Sequence, residues 1–297
     1  MKVFTTHELP QECRKMLGEE LTQDPSDIIN AEVIMGWPTE LSNLVSRAPK
    51  VKALQTFSAG VESMDFSVLP KSVKVFSNAG AYSLPVAEHA WALILSLAKK
   101  VGKRARGESY LISGKTLLVL GAGGIGSKVA RIGRDGFSMK TIGISRSFKD
   151  PEAFHERYSY REVENHLGRA DVVVNALPLT KETRNFLNWE RLSKLKDRSI
   201  IVNVGRGETV DREAMIKLLR ERPSIRFGTD VFWRKDGKEN FDDPIWELDN
   251  FTGTPHTAGA DATREALDAA MVAACTNVAR FLREGKADNE VRIEDYI

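Results

Sequence analysis

A glycine-rich segment, Gly121–Gly126, constrains the fold of this chain more than any other sequence feature. It follows the apolar run Thr116–Leu120 and precedes the helical pattern Gly124–Arg134. In a dinucleotide-binding βαβ unit, the first glycine permits the tight turn, the second lets the backbone approach a pyrophosphate, and the third lets helix and strand pack. The first helical turn offers free N–H groups to the phosphates. The residues predicted to contact a dinucleotide here are Gly121, Gly123, Gly124, Ile125 and Gly126.

The segment after the second strand of this unit indicates which dinucleotide is bound. NAD sites usually carry Asp or Glu about 20 residues after the glycines, where the carboxylate holds the ribose 2′-hydroxyl. This chain instead carries Ser145, Arg146 and Ser147. A guanidinium flanked by two hydroxyls would bind a 2′-phosphate, whereas a carboxylate would repel one. The sequence therefore predicts NADP as the preferred cofactor, with NAD as a possible second cofactor.

Short apolar runs alternate with helical patterns along most of the chain. The predicted strands are Lys2–Thr5, Glu32–Met35, Val51–Phe57, Val73–Phe76, Thr116–Leu120, Thr141–Ser145, Asp171–Leu177, Ser199–Val204 and Arg226–Thr229. The predicted helices are Pro10–Leu17, Glu40–Ala48, Pro85–Lys100, Gly124–Arg134, Trp189–Leu195, Asp211–Arg220 and Ala262–Glu284. Alternation of this kind indicates parallel sheets built from βαβ units. We expect an α/β protein with two Rossmann-like lobes, each a parallel sheet flanked by helices.

Composition and charge exclude several other classes of protein. Forty-three Lys and Arg side chains against 41 Asp and Glu give a net charge of +2, so no strong field favours nucleic acid or an anionic membrane. The longest apolar run, Trp91–Ala98, is far shorter than the ~20 residues of a membrane helix, and we expect a cytoplasmic protein. Cys13 and Cys275 lie near opposite ends of the chain, so we expect two buried, inert thiols and no metal site.

Three further segments carry candidate functional residues. Arg206 lies between two glycines at the end of a buried strand, where parallel sheets of this kind bind ligands. His256 follows Pro255, which stiffens the backbone beside it. The small residues after Phe57 leave backbone N–H groups free for an anion. Each segment alone is compatible with a purely structural role; their order along the chain is the informative feature.

Taken together, these motifs resemble the D-isomer-specific 2-hydroxyacid dehydrogenase family over nearly the whole chain. The matching segments are Phe57–Val61, Asn78–His89, Gly121–Gly126, Leu177–Thr183, Asn203–Gly207, Thr229–Val231 and Thr254–His256. The resemblance implies that Arg206 is the catalytic arginine and His256 the catalytic histidine. It also implies that Ser58, Ala59 and Gly60 bind the substrate carboxylate, together with Arg206 and His256. The further cofactor contacts that it implies are Leu177, Pro178, Thr183, Val204, Arg206, Asp230 and His256.

The chain departs from the family pattern in one place that matters for catalysis. The glutamate that usually hydrogen-bonds the catalytic histidine falls on Lys235, and the loop here is about two residues longer. Asp236 is the first candidate for the missing acid and Glu239 the second. A carboxylate next to an imidazole favours its protonated form and fixes its orientation. If neither carboxylate reaches His256, activity would be weak or would depend differently on pH.

The resemblance also implies a function and a domain organisation. We expect hydride transfer from NADPH to a small 2-keto acid resembling glyoxylate or hydroxypyruvate, giving a D-2-hydroxy acid. The substrate lobe would be discontinuous, comprising residues 1–87 and 261–297, with a dinucleotide lobe over residues 88–260. A homodimer is expected, with Val86–Ala98 as a contact surface. The alternatives are a phosphoglycerate dehydrogenase-like enzyme and a nucleotide-sensing, corepressor-like binding module, while formate oxidation is disfavoured because that branch carries long extensions.

Overall fold

The computed structural model describes residues 1–102, 107–260 and 263–296. They form two compact units, Met1–Tyr82 with Ala260–Ile297 and Ser83–Gly259. The first boundary lies at residues 82/83, against the predicted 87/88. Asp261 and Ala262, where the second segment of the substrate lobe and the last helix were expected to begin, lie outside the described residues. Which unit binds substrate and which binds the cofactor stays a prediction at this point.

The first unit is a parallel sheet covered by helices on both faces. Its strands are β1 (Lys2–Thr5), β2 (Leu21–Thr22), β3 (Ala31–Gly36), β4 (Ala53–Thr56) and β5 (Lys74–Phe76), in the order β2-β1-β3-β4-β5. Its helices are α1 (Gln11–Leu17), α2 (Pro38–Leu44) and α8 (Arg264–Glu284). Successive strand residues face opposite sides: Val3 packs into one apolar cluster with Met35, and Phe4 packs into another with Ile34.

The two cysteines correct the expectation of inert thiols. Cys13 of α1 and Cys275 of α8 form a disulfide, with Cα atoms 5.6 Å apart and both residues fully buried. The two helices pack on the same face of the sheet, and both cysteines belong to the apolar cluster that contains Val3. The separation of 262 residues along the chain gave no indication of this proximity.

The second unit is a seven-stranded parallel sheet with the dinucleotide-binding topology. Its strands are β6 (Thr116–Leu120), β7 (Lys140–Ile144), β8 (Glu156–Tyr158), β9 (Val172–Asn175), β10 (Ile200–Asn203), β11 (Arg226–Thr229) and β14 (Phe251–Gly253). The spatial order is β14-β11-β10-β9-β6-β7-β8, so the strand order reverses between β6 and β9. Ligands of such sheets bind outside the carboxyl ends of the strands at this reversal. The predicted α/β fold with parallel sheets is confirmed.

Helices and one hairpin complete the second unit. The helices are α3 (Ser83–Lys99), α4 (Gly124–Phe137), α5 (Glu164–Leu167), α6 (Trp189–Leu192) and α7 (Arg212–Glu221). The hairpin pairs β12 (Arg234–Lys235) with β13 (Lys238–Glu239). Asp211 caps α7 by accepting a hydrogen bond from the Ala214 N–H at 3.0 Å. Among the described residues, no helix combines the length and apolarity that crossing a membrane requires.

Candidate active site

The turn between β6 and α4 has the geometry that a pyrophosphate requires. Gly121 has a positive φ of 89°, which most residues with a side chain avoid. A Cβ on Gly126 would lie 1.9 Å from the Gly121 carbonyl oxygen, so only glycine allows this packing of helix on strand. A Cβ on Gly123 would meet no atom within 4 Å, which leaves open space above the turn. Gly124 and Ile125 begin the helix, and N–H groups in the first turn of a helix have no acceptor within it.

The segment after β7 carries the groups that would distinguish the two nicotinamide cofactors. Ser145 is buried at the end of the strand, while Arg146 and Ser147 are exposed. The Ser147 N–H donates to the Ser145 hydroxyl at 3.4 Å. Tyr160 was missed by the sequence analysis, and its hydroxyl interacts with the side chains of Ser145 and Arg146. Burial raises the pKa of the Tyr160 hydroxyl, and the Arg146 charge only partly offsets this effect, so the phenol stays protonated and can donate.

The loops after β9 and β10 touch each other through their backbones. A Cβ on Gly205 would lie 2.4 Å from the Leu177 carbonyl oxygen, so glycine is needed for this approach. The Leu177 N–H donates to the Asn175 side chain at 3.3 Å, and the Thr183 hydroxyl donates to the Pro178 carbonyl at 2.6 Å. Val204 is buried beside them. The predicted cofactor residues of these two loops therefore occupy one ordered edge of the sheet.

Arg206 projects from the turn that follows β10. Its carbonyl oxygen accepts hydrogen bonds from the Asn203 amide at 3.0 Å and from the Thr209 hydroxyl at 2.6 Å. Its guanidinium donates to the Gly205 carbonyl at 2.7 Å. These hydrogen bonds fix the backbone at Arg206, and its side chain is half-buried.

Asp230 organises the loop that carries His256. One carboxylate oxygen accepts from the Thr254 hydroxyl at 2.7 Å and the Thr257 N–H at 2.9 Å, and the other accepts from the Ala258 N–H at 3.1 Å. The Asp230 carbonyl accepts from the His256 N–H at 2.8 Å. His256 has a φ of 56°, a left-handed conformation that persists in a residue with a side chain only where surrounding contacts enforce it. The family resemblance implies that Asp230 contacts the cofactor; the structure shows in addition that its carboxylate holds the loop that carries His256.

Another histidine supports the same loop. The imidazole Nε2 of His89, on α3, lies 2.7 Å from the Thr254 hydroxyl and 3.5 Å from the Asp230 carboxylate. His89 thus extends the hydrogen-bonded network behind His256.

Glu239, and not Asp236, is the acid that contacts His256. Glu239 Oε2 lies 2.5 Å from His256 Nδ1, and Oε1 accepts from the Phe232 N–H at 2.8 Å. Burial raises the pKa of the Glu239 carboxyl, but the hydrogen bond and charge of His256, the Phe232 N–H and the Arg234 charge together outweigh burial, so this pKa lies below its usual value. Glu239 is therefore an anion at neutral pH and holds Nδ1 of the imidazole.

The geometry of the hairpin explains why the first choice of Asp236 was wrong. Asp236 and Gly237 have φ angles of 53° and 80° and form the two-residue turn between β12 and β13. Turns of this type favour Asp-Gly, because both central residues need a positive φ. Asp236 lies in the turn and its side chain is exposed. Glu239 lies on the second strand, β13, where its carboxylate contacts His256.

In the first unit, the loop after β4 presents unused backbone donors. The Ser58 carbonyl accepts from the Thr56 hydroxyl at 2.6 Å, and the Ser58 hydroxyl donates to the Gly60 carbonyl at 2.7 Å. Within the described part of the chain, none of the N–H groups of Ser58, Ala59 and Gly60 donates to a protein acceptor. Three successive free donors suit an anionic group such as a carboxylate.

Across residues 1–102, 107–260 and 263–296, no three His, Cys, Asp or Glu side chains are grouped so that they could hold a metal ion. The described residues supply an arginine, a histidine–carboxylate pair and a glycine-rich turn at a helix N-terminus. Such a set can bind an anionic substrate, polarise a carbonyl and deliver a proton.

Comparison with known proteins is consistent with this chemistry. Residues 78–258 match the family model described as D-isomer specific 2-hydroxyacid dehydrogenase, NAD binding domain. The chain is 30% identical to a glyoxylate reductase of Pyrococcus furiosus, over 95% of this chain and 92% of that protein. It is 34% identical to a glyoxylate reductase of Aeropyrum pernix, over 78% of this chain and 74% of that protein.

Solved structures give the same result for the fold. A crystal structure from Pyrobaculum aerophilum, provisionally named a formate dehydrogenase, superposes with a TM-score of 0.86 at 30% identity, covering 100% of both chains. A D-isomer specific 2-hydroxyacid dehydrogenase family protein from Aeromonas salmonicida superposes with a TM-score of 0.79 at 25% identity, covering 98% of both chains.

Proposed function

This chain belongs to the D-isomer specific 2-hydroxyacid dehydrogenase family, and we propose that it reduces a small 2-keto acid to the D-2-hydroxy acid with NADPH. The observation that carries the proposal is the pair formed by His256 Nδ1 and Glu239 at 2.5 Å. Reduction of a ketone needs a proton at the oxygen as well as a hydride at the carbon. A histidine held on a carboxylate through Nδ1 keeps Nε2 available to deliver that proton.

In this proposal, each candidate residue has a defined task. His256 Nε2, protonated, donates its proton to the ketone oxygen, and Glu239 stabilises the imidazolium and fixes the plane of the ring. Arg206 binds the substrate carboxylate and polarises the ketone through its guanidinium. The family resemblance also assigns carboxylate binding to Ser58–Gly60, whose free N–H groups suit an anion. A glyoxylate- or hydroxypyruvate-sized acid is the proposed substrate.

The residues around the glycine turn fit a nicotinamide dinucleotide. The open space over Gly123 and the first turn of α4 would receive the pyrophosphate. When bound, NADPH supplies the hydride. Arg146, the Ser145 hydroxyl and the protonated Tyr160 hydroxyl would bind the 2′-phosphate, because each offers a donor and none carries a negative charge at neutral pH. This donor set supports a preference for NADPH over NADH.

Formate oxidation is the alternative raised by the Pyrobaculum aerophilum protein. Formate loses a hydride to become carbon dioxide, so the reaction needs no proton donor and leaves no oxygen to protonate. The short contact between His256 and Glu239 has no task in that reaction. The pair therefore favours reduction of a ketone.

A substrate panel tests the proposal. Wild-type protein is mixed with glyoxylate, hydroxypyruvate, pyruvate and phosphohydroxypyruvate, and separately with formate, using NADPH and NADH in turn for reduction and the oxidised cofactors for formate. We expect the highest kcat/KM with a two- or three-carbon keto acid and NADPH. Efficient turnover of phosphohydroxypyruvate alone would favour the phosphoglycerate dehydrogenase-like alternative. Tight nucleotide binding without turnover of any acid would favour the corepressor-like binding module.

We also propose an oligomeric state and a cellular location for the protein. Homodimerisation was expected through Val86–Ala98, but the apolar side chains of that stretch, including Val86, Leu93 and Leu97, are buried within the protein. Leu84 is the exposed apolar side chain near the start of the same helix, α3 (Ser83–Lys99), and it supports a dimer contact there. Light scattering that gives the mass of a monomer would contradict it. The cytoplasm is the proposed location of the protein.

A further inference from the structure

Two segments that carry separate parts of the proposed active site are joined by an ion pair. Glu208 lies two residues after Arg206 in the same turn, and Arg234 opens the hairpin that ends at Glu239. The Arg234 guanidinium donates to Glu208 Oε1 at 3.0 Å, and the Arg234 N–H reaches the same oxygen at 3.4 Å. The Glu208 side chain is only 13% exposed, so solvent screens this pair far less than a surface salt bridge.

The backbones of the two segments pack against each other without a gap. A Cβ on Gly207 would lie 2.3 Å from the carbonyl group of Phe232, so only glycine permits the contact. The Trp233 indole donates to the Val210 carbonyl at 2.7 Å. These contacts pack the turn that carries Arg206 tightly against the start of the hairpin. The Glu208–Arg234 ion pair adds a charged contact between the same two segments.

The hairpin links the position of Arg234 to that of His256 through Glu239. Arg234 and Glu239 are direct cross-strand partners in the β12–β13 ladder. The positive charge of Arg234 and the hydrogen bond from His256 both stabilise the Glu239 carboxylate. The side chains thus form a series of alternating charge, Glu208, Arg234, Glu239 and His256, which starts in the turn of the proposed substrate arginine.

One atom of this series has no structural task. Glu208 Oε2 is buried and has no hydrogen-bond partner in the part of the chain that the structure describes. A buried carboxylate oxygen without a partner destabilises a fold, so its presence requires an explanation other than packing. The other oxygen of the same carboxylate, Oε1, supplies one, because it holds Arg234 close to Glu239.

We infer that the Glu208–Arg234 ion pair is a positioning device that holds Glu239 against His256 and keeps the Arg206 turn in register with that pair. Neither residue touches substrate in this account. The effect of the ion pair on catalysis rests on the proposed function. The effect of the ion pair on the titration of His256 can be measured without turnover. The lengthened hairpin provides the physical reason for it, because an acid supplied from a two-stranded ribbon needs an anchor at the base of that ribbon.

The test compares Glu208→Gln with Arg234→Gln, each of which breaks the ion pair. Titration of His256 is followed by NMR of protein labelled with 15N-histidine. If the pair holds Glu239 in place, both variants loosen Glu239, and both lower the midpoint of the His256 titration by about half a pH unit or more. If only charge matters, loss of the Arg234 cation must raise the midpoint. A rise in Arg234→Gln, or no change in both variants, would overturn the inference.

Steady-state kinetics give a second test. General loss of stability in the Glu208 and Arg234 variants would not lower kcat while leaving the KM for NADPH nearly unchanged. We expect kcat for keto-acid reduction to fall about 10- to 100-fold in both variants, because a small misplacement of catalytic groups has effects of this size. The KM for NADPH should change less than twofold. Effects of the two substitutions should not add in the double variant, since either one alone breaks the pair.

Two controls keep the test decisive. Asp197→Asn breaks a salt bridge of 2.7 Å to Arg222, before β10 and outside the site, and should leave titration and kcat unchanged. Arg234→Lys keeps the charge but loses the planar guanidinium, so it should fold and show a partial effect even if a glutamine variant is unstable. Absence of turnover in wild-type protein would refute the proposed function alone, because the NMR titration would still report on the ion pair.

Discussion

Replacement of Glu239 by glutamine should move the pH dependence of keto-acid reduction. The substitution keeps the size of the side chain and removes its charge. Two opposite unit charges about 4 Å apart attract by about 4 kcal/mol at an effective dielectric constant of about 20. The His256 side chain is 38% exposed, and screening at an exposed partner reduces this to about 2 kcal/mol. At about 1.4 kcal/mol per pH unit, the descending limb of the rate profile should move about 1 to 2 units to lower pH.

The assay is keto-acid-dependent oxidation of NADPH from pH 5.5 to pH 9, in wild-type protein, Glu239→Gln and Asp236→Asn. Asp236→Asn is the matched control, because asparagine tolerates the positive φ of 53° at that turn and the side chain is exposed. Its profile should coincide with that of wild-type protein. A shifted profile in Asp236→Asn together with an unshifted one in Glu239→Gln would refute the reasoning.

The same carboxylate contributes to stability with a definite sign. The Glu239 pKa in the folded protein lies below the ordinary glutamate value of 4.5. A group with a lowered folded pKa stabilises the fold above its unfolded pKa, and this contribution is lost as pH falls through the folded pKa. Wild-type protein should therefore lose more stability than Glu239→Gln when the pH is lowered from 6 through the acidic range, as measured by urea unfolding.

The remaining predictions concern the cofactor, the substrate and the disulfide. Ser145→Asp combined with Arg146→Ala should reverse the preference from NADPH to NADH in kcat/KM; a wild-type preference for NADH would contradict the assignment. Arg206→Ala should raise the KM of the keto acid and lower kcat while leaving NADPH affinity, titrated by fluorescence, within about twofold; the opposite pattern would mean that the residue serves the cofactor. Cys275→Ser should lower the free energy of unfolding by about 2–4 kcal/mol under non-reducing conditions, and wild-type protein with dithiothreitol should match it. Equal stability of oxidised and reduced wild-type protein would show that the bond to Cys13 does not form.

The fold could be predicted because its two strongest signals are local. The glycines at Gly121 and Gly126 are required by a backbone contact within six residues, and alternating apolar runs report strand burial directly. The strands β8 (Glu156–Tyr158) and β14 (Phe251–Gly253) were missed because neither contains an apolar run, their sequences being Glu-Arg-Tyr and Phe-Thr-Gly. The equally short edge strand β5 (Lys74–Phe76) was predicted because it lies in the apolar run Val73–Phe76. Tyr160, which reaches Ser145, was missed because its position depends on β8.

From the sequence, the carboxylate that contacts His256 could be narrowed only to two residues, Asp236 and Glu239. Counting along the loop placed Asp236 first, but the Asp-Gly pair at 236–237 is itself a strong hairpin signal. That signal assigns Asp236 to the turn, and a two-residue turn places Glu239 on the returning strand. The disulfide could not be predicted, because packing of α1 against α8 brings together residues 262 apart.

The contact between Glu208 and Arg234 also lay beyond sequence reasoning. It depends on the close approach of Gly207 to the Phe232 backbone, and neither residue belongs to a recognisable motif. Tertiary packing alone determines such contacts, so they can be found only in the structure.

The proton-transfer role of His256 is the central claim, and one comparison tests it most directly. Reduction of the preferred keto acid by NADPH is measured in wild-type protein and in His256→Ala, and the dissociation constant of NADPH is measured in both. The account predicts a loss of about 10²- to 10⁴-fold in the rate of reduction, because proton transfer by a positioned side chain contributes that much, with NADPH still bound. A His256→Ala protein that reduces the keto acid at nearly the wild-type rate would contradict the mechanism.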